Sequence, residues 1–365
     1  MSVFDTSKNS AICVLPWVHE FVNVQGHTGP CCQGGKFSKD ETIESIRKQM
    51  LSGIQPKVCG SCYNTERSVN WSYRLKETAQ WLQKFGEPKI DNPKLEYIDL
   101  RFDPTCNMKC KTCNVSESTL WQKEKGIKLP RNVDTKKYFK NVDKKILKKV
   151  YLAGGEPTFI PDYLEFLQEL HKSNPKCEVV VNSNLKRLPD AWKDIFTKFE
   201  NLTITCSCDA IELLGTYVRY PLDWKIFEDN VKFVSKNVNF LQFNIVTSNL
   251  TTHKIFETCS WLRQYSKNIN LSILKKPYIF TENAVPNDVR QTYIESLQKI
   301  IKFPVGLYFA QQFRQQTKLL LQKFRESYFK QDLLTGLRDE IEAQDSKRSL
   351  KLKDVDPFLY SWIYR

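Results

Sequence analysis

Short apolar runs alternate with longer amphipathic stretches from residue 95 onward. Six runs have the length and composition of β-strands: Leu95–Phe102, Lys149–Ala153, Glu178–Asn182, Leu202–Cys208, Phe240–Val246 and Asn270–Leu274. Most of the gaps carry apolar residues at helical spacing, over Asp134–Lys148, Asp162–Lys172, Leu188–Phe199, Trp224–Lys236 and Thr251–Tyr265. This alternation predicts βα units that assemble into a parallel sheet, and therefore an α/β fold.

Two regions flank the alternating part of the chain. Residues 1–90 are rich in cysteine. Residues 281–365 have a helical pattern, first over Pro286–Lys302 and then over Tyr308–Lys330. We therefore predict a cysteine-rich N-terminal module, a central α/β domain over residues 91–280 and a helical C-terminal extension.

The second C-terminal helix allows two interpretations. Its aromatic and basic residues could form a face for nucleic acid or for a partner protein. Phe309, Phe313 and Leu320 recur at spacings compatible with one helix face, which favours a cap on the α/β domain. The segment that follows, Arg338–Lys353, is rich in charge, and we expect it to be loosely held.

The composition narrows the class of protein. With 365 residues, of which 41% are hydrophobic and 26% charged, the chain is long enough for a large globular core. No run approaches the roughly twenty apolar residues of a membrane span, and residues 1–25 lack the pattern of a signal peptide, so we expect a cytoplasmic protein. The charge of +14 invites a nucleic-acid interpretation, but most of the 55 basic residues are lysines, which favours a solvated surface.

Cysteine is the residue type that points to chemistry. The chain has 12 cysteines, and eight of them lie within residues 1–113. Disulfides are rare in a reducing compartment, so this crowding favours metal ligation. Cys106, Cys110 and Cys113 occur in the stretch CNMKCKTC, where one loop can turn three thiolates toward one point. Three thiolates on a four-iron cluster leave one iron open to a substrate or cofactor.

Two other interpretations of this loop remain. A structural zinc site needs a fourth ligand, and the histidines, His19, His27, His171 and His253, are all distant in sequence. Three unligated thiols packed as small apolar groups are the other alternative. Polar neighbours, Asn107, Lys109 and Lys111, argue against that packing.

A second group of cysteines lies in residues 1–90. Cys13, Cys31, Cys59 and Cys62 are four separated thiols that could close a tetrahedral site, with Gly26 allowing a turn between the first two. Their spacing does not choose between zinc and an iron–sulfur cluster. Cys32 is left over, either as a substitute ligand or as an idle thiol.

Polar residues follow the predicted strands at their carboxyl ends, where parallel barrels carry their chemistry. The second strand runs into Gly154, Gly155, Glu156 and Pro157, a turn in which a ligand could approach the backbone closely. Ser183, Ser207 and Asn244 lie at or near the ends of later strands, where they could bind hydroxyl groups or cap helices. Cys206 and Cys208 share the opposite face of the fourth strand and are predicted to be inert core.

The pattern CxxxCxxC resembles the signature of the radical S-adenosylmethionine (SAM) enzymes. The residue before the third cysteine is usually aromatic in that family, whereas here it is Thr112. The resemblance implies an open (β/α)6 barrel and a [4Fe-4S] cluster on Cys106, Cys110 and Cys113. That cluster would bind SAM and cleave it reductively to a 5'-deoxyadenosyl radical.

The same resemblance assigns roles to the strand-end residues. The stretch Gly154–Pro157 matches the family motif GGEP, which contacts the amino group of SAM. Ser183, Ser207 and Asn244 become candidates for further cofactor contacts. Arg219, in VRYP, has the geometry to hold the SAM carboxylate.

The N-terminal segment CVLPWVHEFVNVQGHTGPCC is similar to the opening of the SPASM and Twitch modules of radical SAM enzymes. The resemblance implies one auxiliary [4Fe-4S] cluster of the Twitch kind on Cys13, Cys31, Cys59 and Cys62. Such modules usually follow the barrel, whereas this one precedes it. Relatives of this kind often modify peptides or proteins, and a flavodoxin or ferredoxin would supply electrons. The alternatives are a zinc-stabilised nucleic-acid-binding protein and a radical SAM enzyme that acts on nucleotides or nucleic acid.

Overall fold

The computed structural model describes residues 2–34, 37 and 41–365 of the chain. Its strands are β1 His19–Val22, β2 Thr28–Gly29, β3 Tyr97–Leu100, β4 Lys109–Cys110, β5 Lys149–Leu152, β6 Glu178–Ser183, β7 Leu202–Ser207, β8 Arg219–Tyr220, β9 Phe240–Thr247 and β10 Ile269–Ile273. Its helices are α1 Leu15–Val18, α2 Ile43–Leu51, α3 Gly60–Val69, α4 Tyr73–Phe85, α5 Thr119–Lys125, α6 Thr135–Asn141, α7 Pro161–Ser173, α8 Asp190–Lys198, α9 Glu212–Val218, α10 Trp224–Asn237, α11 Ile255–Leu262, α12 Arg290–Ile300, α13 Leu307–Glu326, α14 Gln331–Asp345, α15 Leu352–Val355 and α16 Pro357–Ile363.

The fold is of the α/β class, as predicted, with an eight-stranded sheet that is mostly parallel. All six strands expected from the sequence are present, each within two residues of its expected ends. The alternation of strand and helix is consistent with the partial barrel that the resemblance implies. By compactness the described chain divides into two units, the first formed by residues 1–105, 128–181 and 194–202 and the second by residues 106–127, 182–193 and 203–365.

The first unit contains the cysteine-rich segment and the early strands. Its strands follow the order β2, β1, β3, β5, β6, with parallel pairing except between β1 and β2. The run of three valines in β6 is buried, as expected for a strand covered on both faces. A separate core joins the N-terminal segment to α2 and α4 through Trp17, Met50 and Trp81.

The second unit holds β7, β9 and β10, which pair in parallel in that order. In β9 buried residues alternate with half-buried ones. Helix α13 packs on β10 and α12, and Phe309 and Phe313 on it are buried, which supports the cap interpretation. The two short strands β4 and β8 pair antiparallel in the same unit.

The structure corrects two expectations. The charge-rich segment Arg338–Lys353 is not loosely held, because Ile341 on α14 is fully buried and Arg348 is only 4% exposed. The helix expected over Asp134–Lys148 is shorter and ends at Asn141, since Val142 adopts an extended conformation. None of the helices in the described part of the chain combines the length and the apolar character that a membrane crossing requires.

Candidate functional site

The cysteine loop, defined here as residues 106–113, lies in the second unit and is anchored by backbone contacts. Cys110 belongs to β4 and pairs with Arg219 of β8. The Cys113 amide donates to the Cys110 carbonyl at 3.0 Å and closes a turn between these two cysteines. The indole Nε1 of Trp121, on α5, donates to the same carbonyl at 3.0 Å. The loop is therefore held from β8 on one side and from α5 on the other.

The three thiols of the cysteine loop are half-buried and lie near one another. Burial raises the pKa of the Cys113 thiol, and Cys110 and Cys106 raise it further, because neighbouring thiolates repel one another. Burial also raises the pKa of Cys110, while the cation of Arg219 opposes that shift. Thiols in this setting stay protonated until a metal offsets the charge.

Hydrogen-bond donors surround the cysteine loop. Asn184 Nδ2 lies 4.0 Å from Cys106 Sγ and donates to Asn107 Oδ1 at 2.8 Å. Lys186 Nζ donates to the Asn107 carbonyl at 3.0 Å, and within the described chain the buried Asn107 Nδ2 has no hydrogen-bond partner. Burial lowers the pKa of Lys186, while Cys106 and Cys110 oppose that shift. Iron–sulfur clusters accept hydrogen bonds on sulfur, so thiols and donors of these types suit such a cluster chemically. In the described residues, however, the three thiols are not arranged so that together they could hold a metal ion.

Lys111 is buried in this loop. The sequence identifies it as a polar neighbour of the thiols but does not show its burial, and the residue is only 1% exposed. Its amide donates to the Val218 carbonyl at 2.8 Å, which continues the pairing of β4 and β8. Burial lowers the pKa of its ammonium group to about 7. The position of this lysine between two cysteines does not show, from the sequence alone, which residues surround its side chain.

The GGEP turn follows β5 in the first unit. The amides of Gly155 and Glu156 donate to the carbonyls of Asp103 and Thr105 at 2.9 and 2.8 Å. A Cβ on Gly154, whose φ is +116°, would lie 2.7 Å from the Asp103 oxygen, and one on Gly155 would lie 2.3 Å from the Thr105 oxygen. The glycines are therefore required by the close approach of the segment after β3. This is a different reason from the ligand approach that the sequence suggested.

Glu156 is buried in the GGEP turn and already has a structural role. Its Oε1 accepts hydrogen bonds from the Thr158 amide at 3.2 Å and from Thr158 Oγ1 at 2.7 Å. It thereby caps the single helical turn Pro157–Phe159. A contact of this carboxylate with a cofactor remains a prediction.

The strand-end candidates make local hydrogen bonds. Ser183 Oγ accepts from the Leu185 amide at 3.0 Å, and Ser207 Oγ donates to Asn182 Oδ1 at 3.4 Å. Asn244 Oδ1 accepts from two side chains of β10: Asn270 Nδ2 at 2.7 Å and Ser272 Oγ at 2.8 Å. Their cofactor contacts also remain predictions. Cys206 and Cys208 are fully buried, as expected for core residues.

Arg219 is buried and paired. Its Nη1 donates to Asp209 Oδ2 at 2.8 Å, and Asp209 Oδ1 accepts from the Val246 amide at 2.9 Å. Among the described residues Arg219 Nε has no partner. The sequence identified Arg219 as an anion-binding candidate but missed Asp209 as its partner, because the two lie on different elements. One side of the guanidinium is thus occupied while another keeps hydrogen-bonding capacity.

Three of the four N-terminal thiols share one buried cluster of the first unit: Cys13 and Cys31 belong to it and Cys59 packs against it. Burial raises the pKa of Cys13 to about 12, and Cys59 and Cys62 add to the shift. Burial likewise raises the pKa of Cys31, with Cys13 and Cys62 contributing. The Cys13 thiolate would thus be repelled by each of the other three. Within residues 2–34, 37 and 41–365, no three or more His, Cys, Asp or Glu side chains are arranged so that they could hold a metal ion.

Cys32 lies beside charged residues. Burial raises its pKa to about 11, Arg101 opposes the shift, and Asp99 and Glu77 add to it. The guanidinium of Arg101 in turn binds Asp99 through two hydrogen bonds of 2.8 and 3.0 Å. The two roles considered for Cys32, substitute ligand and idle thiol, both stay predictions.

Comparison with known proteins gives one family match. Residues 100–261 match the radical SAM superfamily, and this segment includes the cysteine loop and GGEP. No curated protein matches the chain.

Several solved structures resemble the chain at low identity. SuiB of Streptococcus suis bound to S-adenosylmethionine is 14% identical over 72% of this chain and 59% of its own, with a TM-score of 0.44. The enzyme anSMEcpe with bound AdoMet is 15% identical over 57% of this chain and 59% of its own, with a TM-score of 0.41. SuiB bound to its precursor peptide SuiA is 14% identical over 73% of this chain and 62% of its own, with a TM-score of 0.44. The matched regions span about six-tenths of those proteins. Residues 100–261 therefore form a radical SAM domain within this chain.

Proposed function

We propose that this protein is a radical SAM enzyme whose cysteine loop holds a [4Fe-4S] cluster through Cys106, Cys110 and Cys113. Cys106, Cys110 and Cys113 would hold the cluster, which would supply the electron for reductive cleavage of SAM to methionine and a 5'-deoxyadenosyl radical, the species that would abstract a hydrogen atom from the substrate. The observation that carries the proposal is the CxxxCxxC spacing of Cys106, Cys110 and Cys113 inside the region that matches the family. Asn184 and Lys186 add the hydrogen-bonding and charged groups that suit an anionic cluster.

The chain's own residues would bind and orient the cofactor. Arg219, next to Cys110 in the pairing of β4 with β8, would attract the SAM carboxylate while Asp209 fixes its direction. The GGEP residues, Gly154 to Pro157, would present the turn after β5 to the amino group. Ser183, Ser207 and Asn244 would contribute polar groups toward the sugar. Their existing hydrogen bonds keep the side chains in place before SAM arrives.

The N-terminal thiols would hold one auxiliary [4Fe-4S] cluster. Cys13, Cys31, Cys59 and Cys62 supply four soft sulfur ligands, which satisfies such a cluster without an open position. The same four thiols would satisfy zinc. We favour the cluster because the spacing around Gly26 resembles the Twitch pattern. We also propose a peptide or protein as substrate and a flavodoxin or ferredoxin as electron donor, as that resemblance implies.

The test is anaerobic reconstitution with iron and sulfide, followed by reductant and SAM. We expect a brown protein, an electron paramagnetic resonance (EPR) spectrum that changes when SAM is added, and 5'-deoxyadenosine detectable by mass spectrometry. Replacing Cys106, Cys110 and Cys113 by alanine should reduce 5'-deoxyadenosine to the level without enzyme, because the cluster loses all its ligands. Cys177→Ala is the matched control. Cys177 is buried and lies far from both cysteine groups in the sequence, so this variant should still cleave SAM. A colourless protein, or a spectrum indifferent to SAM, would reject the proposal.

A further inference from the structure

A lysine buried inside a cluster-binding loop needs an explanation. The Lys111 side chain is 0% exposed, one position from Cys110 and two from Cys113. Removing an ammonium group from water is unfavourable, so it is tolerated only where fixed partners compensate. The partners of Lys111 therefore show what this position is built to contact.

The polar partners of Lys111 Nζ come from the end of α14, more than 230 residues along the chain. The nitrogen donates to Gln344 Oε1 at 3.0 Å and lies 3.6 Å from Asp345 Oδ1. It also lies 3.8 Å from the centre of the Tyr217 ring, a distance at which a cation is attracted to the aromatic face. The lysine thus joins the cysteine loop to the C-terminal helices.

Asp345 is itself held in place from several directions. Its Oδ1 accepts from the Tyr217 hydroxyl at 2.9 Å, and its Oδ2 accepts from the Leu352 amide at 2.8 Å. Its backbone carbonyl accepts from Lys351 Nζ. Because the Asp345 carboxylate is fixed in this way, it restricts the Lys111 ammonium group to one position.

A second contact reaches the same loop through Arg348. Its Nη1 donates to Gln344 Oε1 at 2.9 Å, so the two cations share one amide oxygen. Its guanidinium lies 4.7 Å from the centre of the Tyr220 ring, and Tyr220 pairs with Lys109 between β8 and β4. Residues 344–352, which we name the C-terminal strap, therefore contact the cysteine loop directly and also brace the strand pair that carries it.

We propose that the C-terminal strap fixes the position of the cysteine loop through Lys111, which acts as a positioning residue for the cluster. This inference rests on the proposed function for the identity of the cluster. The strap supplies the order of the loop before metal binds, so that cluster assembly is not opposed by the entropy of fixing the loop. The C-terminal extension is then part of the cluster site as well as a cap.

The first experiment uses the full-length protein without its clusters, so it does not depend on the proposed function. Hydrogen exchange is measured by mass spectrometry in Lys111→Met and Asp345→Asn. We expect amides of residues 106–113 to exchange roughly tenfold faster or more in both variants, while β9 exchanges as in the wild type. The double variant should exchange no faster than Lys111→Met alone, because both changes remove the same contact.

The matched control is Lys125→Met. Lys125 also pairs with α14, through Glu340 at 3.3 Å, but its side chain is 41% exposed and lies outside the cysteine loop. It should leave exchange of residues 106–113 unchanged. Unchanged exchange in Asp345→Asn, or equal acceleration in Lys125→Met, would overturn the proposal. Asp345→Asn preserves the shape of the side chain and provides the test if Lys111→Met does not fold.

The second experiment uses the reconstituted protein. In Lys111→Met and in Asp345→Asn we expect iron to be lost to a chelator roughly tenfold faster than in the wild type, the same factor as for hydrogen exchange in the loop. We also expect an altered EPR spectrum of the reduced cluster. A merely structural role would lower the melting temperature without changing that spectrum. If exchange accelerates as expected but no cluster assembles in the wild type, the strap stands and the proposed function fails. If the cluster forms and neither its spectrum nor its iron loss changes, the positioning role is rejected.

Discussion

At the scale of single residues, Gly155 shows how closely two segments of the first unit approach. A Cβ there would lie 2.3 Å from the Thr105 oxygen and 2.6 Å from the Pro104 carbonyl, and neither is a flexible side chain. Gly155→Ala must therefore push apart two backbone segments that the hydrogen bond from the Gly155 amide to the Asp103 carbonyl joins. We expect the free energy of unfolding to fall by about 1–3 kcal/mol, measured by urea denaturation of the protein without metal.

Gly60 provides the comparison for that prediction. It is the first residue of α3, and a Cβ there would meet no atom within 4 Å. Gly60→Ala should leave the free energy of unfolding unchanged or raise it by up to about 1 kcal/mol, since alanine favours the helix. Equal destabilisation by both alanines would show that the close approach at Gly155 does not require glycine.

Individual residues also show where sequence reasoning reaches its limit. The cysteines of the loop were identifiable because ligand spacing is local and appears directly in the sequence. Asp209 and the partners of Lys111 were not, because the fold brings them together from separate elements. Spacing identifies which groups can bind, whereas the partner that fixes each group depends on tertiary structure.

At the scale of secondary structure, the strands of the alternating region were predictable and β1 was not. Short apolar runs identified all six expected strands, and one of these runs, EVVVN, is buried on both faces. Strand β1, HEFV, is short and lies in the cysteine-rich segment, so we read it as part of the module. Its pairing with β3 depends on a partner about 80 residues away, which no local pattern shows.

Helix α16 offers a test of electrostatics at its N-terminus. Asp356 accepts from the Leu359 amide at 2.9 Å and from His253 Nε2 at 2.8 Å. Burial raises the pKa of Asp356, but the hydrogen bond and charge of His253 and the hydrogen bond from the Leu359 amide together outweigh burial and leave the pKa below its ordinary value. A lowered pKa means stability that is present above the unfolded pKa of about 3.9 and is lost as the pH falls through the folded value.

Asp356→Asn should therefore cost about 1–2 kcal/mol at pH 7, with the difference from the wild type shrinking as the pH falls below about 4. Asparagine caps helices about as well as aspartate, so the decrease in the free energy of unfolding measures the contribution of the charge rather than that of the cap. Urea denaturation at a series of pH values measures it. A difference that stays constant down to pH 3 would contradict the assigned role of the carboxylate.

At the scale of the whole molecule, the three regions predicted from the sequence are each one continuous stretch, whereas each compact unit combines several separate stretches. We drew boundaries near residues 90 and 280 where the pattern of the sequence changes. The compact units instead join separate stretches, because β1 of the cysteine-rich segment pairs with β3 of the following region. A parallel sheet joins strands distant in sequence, so changes in composition along the chain cannot show its compact units. The three-region division stays a prediction.

Iron content of the whole chain separates the two cysteine groups. If each holds a [4Fe-4S] cluster, the anaerobically reconstituted protein should contain about eight iron and eight sulfide per chain. Cys59→Ala/Cys62→Ala should lower this to about four and still form 5'-deoxyadenosine, since the thiols of the cysteine loop are untouched. Cys259→Ala, a buried thiol outside both groups, should keep about eight. About four iron with one zinc in the wild type would instead show that the N-terminal thiols hold zinc, because four thiolates satisfy that ion equally well.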